Sequence, residues 1–314
     1  MLKTKRILTV TLNPALDVFC RVSSDSTGKN FVVNELMASA GGKGINVSRV
    51  LHRLGVNTLA LGCVGGTTGT LMKKMIEKEK IPYSFVVGGS KTRTNVTMIC
   101  PARNTSAHII SKGNPVSLKD IQKFKKIFFQ NLLSRSMVVL SGRLPPGVKD
   151  SFYFELIELA KQRHIPSVLD SHGQAFKIGL KAKPFCIKPN REEAEFIVRE
   201  KLNSLSKIKH ALKYFLDSGT KMIILSLGEE GAVATEGRGV WLALPPKIKG
   251  GHDVGCGDAL IAGFIFSIQK KLSFPRALQM AVATGTANAL AVKPGEIQRK
   301  EIHRLLAEVK IKAI

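Results

Sequence analysis

Short runs of β-branched and apolar residues alternate with amphipathic stretches through most of the 314-residue chain, and this alternation limits the possible folds. The runs predict strands at 6–12, 58–64, 137–140, 167–169, 185–188 and 221–226. The amphipathic stretches predict helices at 45–54, 68–80, 118–133, 152–163 and 191–199, and the chain reads as helical almost to its end after Gly255. We therefore expect an α/β fold with a mostly parallel sheet and helices on both faces.

Two regions, 18–37 and 85–110, break this alternation. Both contain strand-like pieces with turn signals and no helical pattern. We expect these pieces to pair as a small antiparallel sheet, set apart from the main one. Since neither an internal repeat nor a linker is evident, we predict a single domain over residues 1–314 that carries these two insertions.

The composition is that of a globular protein with an excess of positive charge. It contains 44% apolar and 23% charged residues, which excludes disordered and fibrous classes. The 48 basic residues exceed the 23 acidic ones, and the formal net charge of +25 attracts nucleotides, sugar phosphates, nucleic acids and acidic lipids alike. Charge therefore does not choose among these partners.

Neither a signal peptide nor a membrane span is expected, because the first apolar run is short and no run approaches about 18 consecutive apolar residues. The five cysteines are scattered and never form a C-x-x-C pair. Such cysteines are typical of reduced thiols in a cytoplasmic protein rather than of disulfides or a zinc site.

Gly41, Gly42 and Gly44 stand directly before a predicted helix in the segment AGGKGINVSRVLHRLG, 40–55. Free amides at a helix N-terminus that a ligand can approach closely favour an anionic or polyhydroxyl ligand. A dinucleotide site is disfavoured, because Val47 takes the place of the third glycine and no acidic residue follows at the required spacing. A glycine turn before an ordinary solvated helix is the structural alternative.

A second glycine-rich segment, GGHDVGCGDALIAGFIF at 250–266, places Asp258 where a long apolar helix begins. Gly255 and Gly257 frame Cys256, so the amides of these three residues can converge on one point beside a carboxylate. Phosphoryl transfer needs donors for the charge of the transferring group and an acid that orients the attacking hydroxyl. A simple helix cap at Asp258 explains this segment equally well by itself.

Two further segments are weaker indications of a site for ATP and a metal ion. SLGEEGA, 226–232, places two glycines after a predicted strand, which suits a phosphate cradle or a plain hairpin. KPNREEAE, 188–195, places Asn190 at a helix start and Glu193 at its capping-box position, which suits capping or an outer-shell contact to magnesium. No Walker motif or protein-kinase signature occurs, so ATP would have to bind through another architecture.

Taken together, these motifs resemble the ribokinase-like (PfkB-type) carbohydrate kinases, in the family's order and over nearly the full chain. The matching segments are TLNPALD (11–17), AGGKGINVSRVL (40–51), TRTNV (92–96), SGRLPPGV (141–148), KPNREEAE, SLGEEGA and DVGCGDALIAG (253–263). TLNPALD, GGKGIN and SGRLPPG look most like the branch of 1-phosphofructokinase, tagatose-6-phosphate kinase and the minor 6-phosphofructokinase. The resemblance implies a three-layer α/β/α fold with a small β-sheet lid that covers the sugar and often pairs two subunits.

The resemblance also implies roles for individual residues. Asp258 would be the catalytic base for the sugar hydroxyl, and Gly255, Cys256 and Gly257 would form the anion hole for the γ-phosphate. The residues implied in binding the sugar phosphate, with Lys43 and Arg93 on its phosphate, are Asp17, Gly41, Gly42, Lys43, Asn46, Arg93 and Ser141. Those implied near ATP are Lys188, Ser226, Gly228, Gly231 and, towards the adenine, Asn288, while Asn190 and Glu193 would face Mg²⁺.

Three positions depart from the family's pattern. Asp253 stands where relatives usually have threonine, which adds a negative charge near the expected nucleotide phosphates. Arg143 replaces a small residue and is a candidate for a further phosphate contact. The segment 106–108 (Ser-Ala-His) stands where an acidic residue is common.

The leading hypothesis is a cytoplasmic kinase that uses ATP and Mg²⁺ to convert fructose 1-phosphate to fructose 1,6-bisphosphate, with tagatose 6-phosphate and fructose 6-phosphate as alternative substrates. We expect a homodimer that pairs through the β lid, without membrane contact. A non-enzymatic nucleic-acid-binding or regulatory protein is the alternative from another class. Basic residues are spread over the whole chain, aromatic residues make up only 6% and no recognition motif is evident, so nucleic acid is not an expected partner.

Overall fold

Two β-sheets and ten α-helices make up the part of the chain that the computed structural model describes, residues 6–22, 33–100, 105–132 and 137–314. The strands are β1 (Ile7–Thr11), β2 (Ala15–Val22), β3 (Val33–Gly41), β4 (Thr58–Gly65), β5 (Tyr83–Gly88), β6 (Arg93–Cys100), β7 (Thr105–Ile109), β8 (Met137–Ser141), β9 (Ser167–Asp170), β10 (Cys186–Ile187), β11 (Met222–Ser226), β12 (Ala232–Thr235), β13 (Val240–Leu244) and β14 (Lys310–Ala313). The helices are α1 (Lys43–Arg53), α2 (Gly66–Lys78), α3 (Leu118–Asn131), α4 (Phe152–Gln162), α5 (Gly173–Leu180), α6 (Arg191–Val198), α7 (Leu205–Asp217), α8 (Cys256–Gln269), α9 (Phe274–Ala289) and α10 (Arg299–Glu308).

Ten of the strands form one large sheet, in the order β14-β13-β12-β11-β10-β9-β8-β1-β4-β5. Every neighbouring pair from β11 to β5 is parallel. The pairs from β11 through β14 are antiparallel and form one edge of the sheet. The prediction of a mostly parallel central sheet is therefore confirmed.

Helices cover both faces of the large sheet. Alternate residues of a strand point to opposite faces, and apolar residues on both faces need helices to pack against. On β1, Leu8 and Val10 pack in a core that includes residues of α3, α4, α5, α6 and α7. Ile7 packs in a second core with residues of α1, α8, α9 and α10. The molecule thus has the predicted three layers, with the sheet between two layers of helices.

Four strands form the separate small sheet, in the order β3-β2-β6-β7. The pairs β2–β3 and β6–β7 are antiparallel, but β2 and β6 run parallel. The prediction of a purely antiparallel small sheet is therefore wrong. In the chain, β2 follows β1 and β6 follows β5. Because β1 and β5 run in the same direction in the large sheet, both segments leave this sheet at the same edge and enter the small sheet in the same direction.

The boundaries of the two insertions also differ from the prediction. The second insertion was placed at 85–110, but Tyr83–Gly88 is β5, which pairs with β4 at the edge of the large sheet. The small sheet takes only β6 and β7 from this region. In the first region it includes all of β2 and β3, which extend beyond 18–37 at both ends. Residues 23–32 and 101–104 of the predicted insertions lie outside the described residues.

Within the described ranges, no helix combines the length and the apolar character needed to cross a membrane.

Candidate active site

The carboxyl ends of the parallel strands converge on one edge of the large sheet. Ser141 ends β8, Asp170 ends β9, Lys188 follows β10 and Ser226 ends β11. Within the sheet, β1 lies between β4 and β8, so the strand order runs in one direction from β1 to β4 and in the opposite direction from β1 to β8. Such a reversal of strand order opens a crevice for ligands at the carboxyl edge. Most of the predicted site residues gather at this edge.

Asp17 of β2 faces the start of α1 at very close range. A Cβ atom built on Gly41 would lie 1.8 Å from Asp17 Oδ2, so only glycine leaves room for this carboxylate. Asp17 Oδ1 accepts a hydrogen bond from Asn95 Nδ2 at 2.8 Å. Burial raises the pKa of Asp17, while Asn95 and the Arg93 guanidinium oppose this shift. The small sheet thus places a polar pair over the N-terminus of α1.

Gly255, with φ of 78°, provides the left-handed residue at the start of α8. The amide of Cys256 donates to the Asp253 carbonyl at 3.2 Å, so this amide already has a partner. Gly257 packs against Lys188, whose Nζ atom would lie 3.2 Å from a Cβ atom at position 257. The turn therefore brings a helix N-terminus and a buried ammonium to one place, as an anion hole requires.

Asp258 lies in the first turn of α8 and is 4% exposed. Its Oδ2 accepts a hydrogen bond from Asn46 Nδ2 at 2.8 Å. Burial raises the pKa of Asp258 to about 6, against the opposing effect of the Lys43 charge. A carboxylate with this pKa is ionised at neutral pH and is a better proton acceptor than an exposed one.

Arg49 holds Asn46 in place and was not among the predicted site residues. Its guanidinium is 1% exposed and donates from Nη1 to Asn46 Oδ1 at 2.9 Å. It also donates from Nη2 to the Ala40 carbonyl and to Glu79 Oε1, at 2.6 and 3.1 Å. The acceptor Oδ1 of Asn46 is thus occupied, which turns its amide group towards Asp258. The one available signal in the sequence was that Arg49 is a charged residue on the apolar face of a predicted helix.

Asp170 is the second carboxylate of the site and was also missed by the sequence analysis. It is 1% exposed, and its Oδ1 accepts a hydrogen bond from Lys43 Nζ at 3.1 Å and lies 3.4 Å from Lys188 Nζ. Burial favours the neutral acid, but the two ammonium groups outweigh it and hold the pKa of Asp170 below its usual range. Its Oδ2 is buried without a hydrogen-bond partner among the described residues. The available signal was its position one residue after a predicted strand at the carboxyl edge of the sheet.

Lys43 lies among three carboxylates of the site, those of Asp170, Glu193 and Asp258. Its Nζ lies 3.1 Å from Asp170 and 3.8 Å from Glu193 Oε1. Burial opposes its charge, but the carboxylates of Asp170, Glu193 and Asp258 together raise the pKa of Lys43. Lys43 is therefore a fixed positive charge between Asp258 and the start of α6, and its contact with a sugar phosphate stays a prediction.

Arg93 lies at the start of β6, where the small sheet meets the large one. It donates from Nε and Nη2 to the Asn13 carbonyl at 3.2 and 2.9 Å. Burial lowers the pKa of Arg93, and the positive charge of Arg143 acts in the same direction. Burial, followed by the charges of Arg143 and Lys43, lowers the pKa of His172 to about 4, so this imidazole is neutral at pH 7. Arg93, Arg143 and Lys43 thus make this side of the candidate site positive.

At the end of β11, where the sequence predicts contacts with ATP, Ser226 forms a bridge with Asn190, and the turn at Gly228–Glu230 is present as a short 3₁₀ segment. Open space lies beside Gly228, since a Cβ atom there would meet nothing within 4 Å. At Gly231, in contrast, a Cβ atom would lie 2.0 Å from the carbonyl oxygen of Ala243. Gly231 is therefore required by packing against β13, whereas Gly228 leaves room for a ligand.

Asn288 of α9 holds the loop that precedes α8. Its Nδ2 donates to the Val254 carbonyl at 2.9 Å, and its Oδ1 accepts from the Gly295 amide at 2.7 Å. Asn288 Nδ2 also lies 3.5 Å from Cys256 Sγ. These contacts fix the loop at the start of α8, where the anion hole is predicted, whereas the predicted contact of Asn288 on the adenine side stays a prediction.

Asn190 and Glu193 form the expected capping box at the start of α6. Asn190 Oδ1 accepts from the Glu193 amide at 2.7 Å, and Glu193 Oε2 accepts from the Asn190 amide at 2.9 Å. Glu193 Oε1 faces Lys43. In the described ranges, no group of three or more His, Cys, Asp and Glu side chains could hold a metal ion. Asn190 and Glu193 therefore do not form a protein cage for a metal.

The sequence, compared with known proteins, matches a family model described as "pfkB family carbohydrate kinase" over residues 15–299. The chain belongs to this family. Membership confirms the predicted family and kinase activity, and use of ATP is implied by the family.

Named relatives and solved structures agree with this membership. The 1-phosphofructokinase of Bacillus subtilis is 33% identical over 311 residues, which cover 97% of this chain and 99% of the relative. The tagatose-6-phosphate kinase of Staphylococcus epidermidis is 30% identical over 308 residues, with the same coverage. Phosphofructokinase-2 from Escherichia coli in complex with substrates and products has a TM-score of 0.91 at 25% identity, over 96% of this chain and 99% of that one. Another structure of that protein is described as its tetrameric inhibited form. The predicted ribokinase-like fold is thus confirmed.

Proposed function

We propose that this pfkB-family kinase transfers the γ-phosphate of ATP to a phosphorylated ketohexose, with fructose 1-phosphate as the first-choice substrate. The observation that carries the proposal is the buried Asp258 carboxylate, which Asn46 holds at the N-terminus of α8 beside Lys43 and Lys188. A base, an anion hole and fixed positive charge are the parts that phosphoryl transfer to an alcohol needs.

In this proposal the sugar hydroxyl lies against Asp258, which accepts its proton as the oxygen bonds to the γ-phosphorus of ATP. The bond from that phosphorus to the β,γ-bridging oxygen breaks at the same time, and ADP leaves. Gly257 and the helix N-terminus of α8 offer donors for the charge on the transferring group, and Lys188 adds a positive charge beside them. Asp17 and Asn95 bind sugar hydroxyls from the small sheet. Arg93, together with Lys43 or Arg143, binds the phosphate already on the sugar, because a guanidinium suits a phosphate dianion.

Mg²⁺ is proposed as the metal that accompanies ATP. Magnesium usually keeps several waters and binds through one or two carboxylates and the substrate phosphates. Asp170, whose buried Oδ2 lacks a partner, and Glu193 both lie beside Lys43 and are the oxygen donors that fit such a site. When bound, the ion would neutralise phosphate charge during transfer.

The choice among hexose phosphates rests on the relatives. One is named 1-phosphofructokinase, another tagatose-6-phosphate kinase, and one of the similar solved structures is named phosphofructokinase-2. A coupled assay of ADP release with fructose 1-phosphate, tagatose 6-phosphate, fructose 6-phosphate and fructose tests the proposal. We expect the highest kcat/KM with fructose 1-phosphate, and turnover of unphosphorylated fructose alone would refute the substrate class.

Arg93→Ala tests whether the enzyme recognises the phosphate on its substrate. We expect KM for the phosphorylated sugar to rise about tenfold or more, with a smaller change in kcat, because the lost contact binds ground state and transition state alike. Arg238→Ala, which removes an exposed arginine between β12 and β13, is the matched control and should change neither constant. An equal loss with fructose would contradict the role of Arg93.

We further propose a homodimer that forms through the small sheet. Asp17 and Asn95 lie on one face of this sheet, and alternation places Leu36 and Ile109 on the other. Leu36 is 65% and Ile109 60% exposed. An exposed apolar face of this kind is typical of a protein–protein interface.

A further inference from the structure

One side-chain contact joins the small sheet to the loop that leads into the anion hole. His108 Nε2 of β7 lies 3.6 Å from Asp253 Oδ1. His108 pairs in register with Thr97, and Thr97 follows Asn95 by two residues on β6. Since residues two apart share a face of a strand, His108 lies on the face that carries Asp17 and Asn95. The proposed sugar-binding face of the small sheet thus touches the nucleotide side of the site at this pair.

The imidazole of His108 is held by hydroxyl groups within the small sheet. Its Nδ1 lies 3.3 Å from Thr97 Oγ1, and its Nε2 lies 3.1 Å from Ser106 Oγ. The side chain is 30% exposed, whereas that of Asp253 is 80% exposed. Around the imidazole, the described contacts from other elements are thus Thr97 of β6 and Asp253 of the loop, and Asp253 carries the only charge among them.

The charge of Asp253 reaches the proposed binding site of the γ-phosphate. The carbonyl of Asp253 accepts a hydrogen bond from the amide of Cys256, so Asp253 lies within one turn of the proposed anion hole. Its carboxylate adds to burial in raising the pKa of the Cys256 thiol. A negative charge that stabilises a neutral thiol at this place also repels an approaching triphosphate.

We propose that His108 is the counter-ion of Asp253 and couples the two halves of the site: with the small sheet over the crevice, the imidazolium offsets the Asp253 charge and strengthens nucleotide binding. This inference rests on the proposed function, because it assumes that sugar phosphate holds the small sheet in place. Sugar phosphate and ATP then each bind more tightly in the presence of the other. Both His108 and Asp253 depart from the family's pattern noted in the sequence, and the structure brings the two departures together.

A double-mutant cycle on nucleotide affinity tests the inference. His108→Ala should raise the Kd and KM for ATP about two- to fivefold at pH 6, which is the range for an exposed ion pair. Asp253→Asn should leave these constants equal to or below the wild-type values. In the Asp253→Asn background, His108→Ala should have no effect. An equal rise in both backgrounds, or no rise in either, overturns the proposal.

Two further variants separate charge from structure. His108→Lys places a permanent cation beside the Asp253 carboxylate and should bind ATP at least as tightly as the wild type. His210→Ala removes the histidine of a similar exposed pair with Glu200 on the outer surface and should change nothing. A His108→Lys variant as weak as His108→Ala would contradict the counter-ion role.

Hydrogen exchange of the β6 and β7 amides provides a measurement that needs no turnover. The nucleotide analogue AMP-PNP and fructose 1-phosphate together should protect these amides more in the wild type than in Asp253→Asn or His108→Ala. If no sugar phosphate is turned over, the proposed function fails. The ATP affinities of the wild type and the variants then still show whether His108 and Asp253 act as an ion pair. If turnover is normal but the effects on ATP binding are additive, only the coupling fails.

Discussion

At the scale of the residue, Asp258 must be ionised to accept a proton, while its burial favours the neutral acid. Because its pKa is raised to about 6, we expect kcat to increase as the pH rises through about 6 and to level off above 7. Asp258→Asn should lower kcat by about two to four orders of magnitude and abolish this pH dependence. Steady-state assays from pH 5 to 8 measure both effects, and a loss below tenfold would leave Asp258 as a helix cap.

The same residue links activity to stability. The folded state binds more protons than the unfolded state between the usual pKa of Asp258, 3.8, and about 6, so its contribution makes the protein less stable as the pH rises through this window. Asp258→Asn removes this contribution. Urea unfolding at pH 4.5 and 7 should therefore show a gain in the variant's stability relative to the wild type at the higher pH only.

Gly41 is a second residue whose identity the structure explains. A Cβ atom at this position would lie 1.8 Å from Asp17 Oδ2, so Gly41→Ala must displace the carboxylate proposed to hold the sugar. We expect KM for the sugar phosphate to rise at least tenfold, with little change in KM for ATP. Gly89→Ala, where a Cβ atom meets nothing within 4 Å, is the matched control. Equal kinetics in both variants would contradict the role of Asp17.

At the scale of the element, helix α9 fixes the loop before α8 through Asn288. Asn288→Ala leaves the Val254 carbonyl and the Gly295 amide without their partner, which costs about 1–3 kcal/mol of stability. We expect kcat to fall at least tenfold while KM for the sugar phosphate changes little. Gln279→Ala removes comparable hydrogen bonds from the same helix, to Leu306 and Val309, away from the site. If both variants lose stability and kcat equally, Asn288 has no specific role.

The predictable elements are those whose sequence pattern is local. The buried parallel strands and the helices next to them were predicted because apolar runs and amphipathic stretches differ in period. β5 was assigned to the small sheet because an edge strand with half-exposed residues looks the same in either sheet. The short helix α5 and the helix α7 were not predicted, although Ser204 caps α7 at a recognisable position.

The site was predictable where glycines and strand ends mark it, and less so where long-range contacts make it. Glycine-rich turns pointed to Asp258 and Gly41, and the structure places Asp258 against Asn46 and Gly41 against Asp17. The pairing of Asp170 with Lys43 joins residues 127 positions apart, and Arg49 contacts Pro294 across 245 positions. No local pattern encodes such contacts, so Asp170 and Arg49 were found only in the folded chain.

At the scale of the whole molecule, the exposed apolar face of the small sheet predicts association. Leu36→Glu combined with Ile109→Glu places like charges on this face, and we expect the proposed homodimer to dissociate to monomers of 34.2 kDa in light scattering. Leu118→Glu is the matched control, because Leu118 is 76% exposed on α3, outside the small sheet. The new charge there should not change the mass measured by light scattering. A wild type that is monomeric at micromolar concentration would rule out the interface.

The hydrogen bond from Asn46 to Asp258 spans 212 positions of the chain. Asp258 is therefore synthesised only after the whole small sheet and every strand of the large sheet except β14. Any unfinished chain that stops before α8 lacks the carboxylate that we propose as the proton acceptor. If the proposed role of Asp258 is right, a nascent polypeptide of this kind does not phosphorylate the sugar, whatever part of it has already folded.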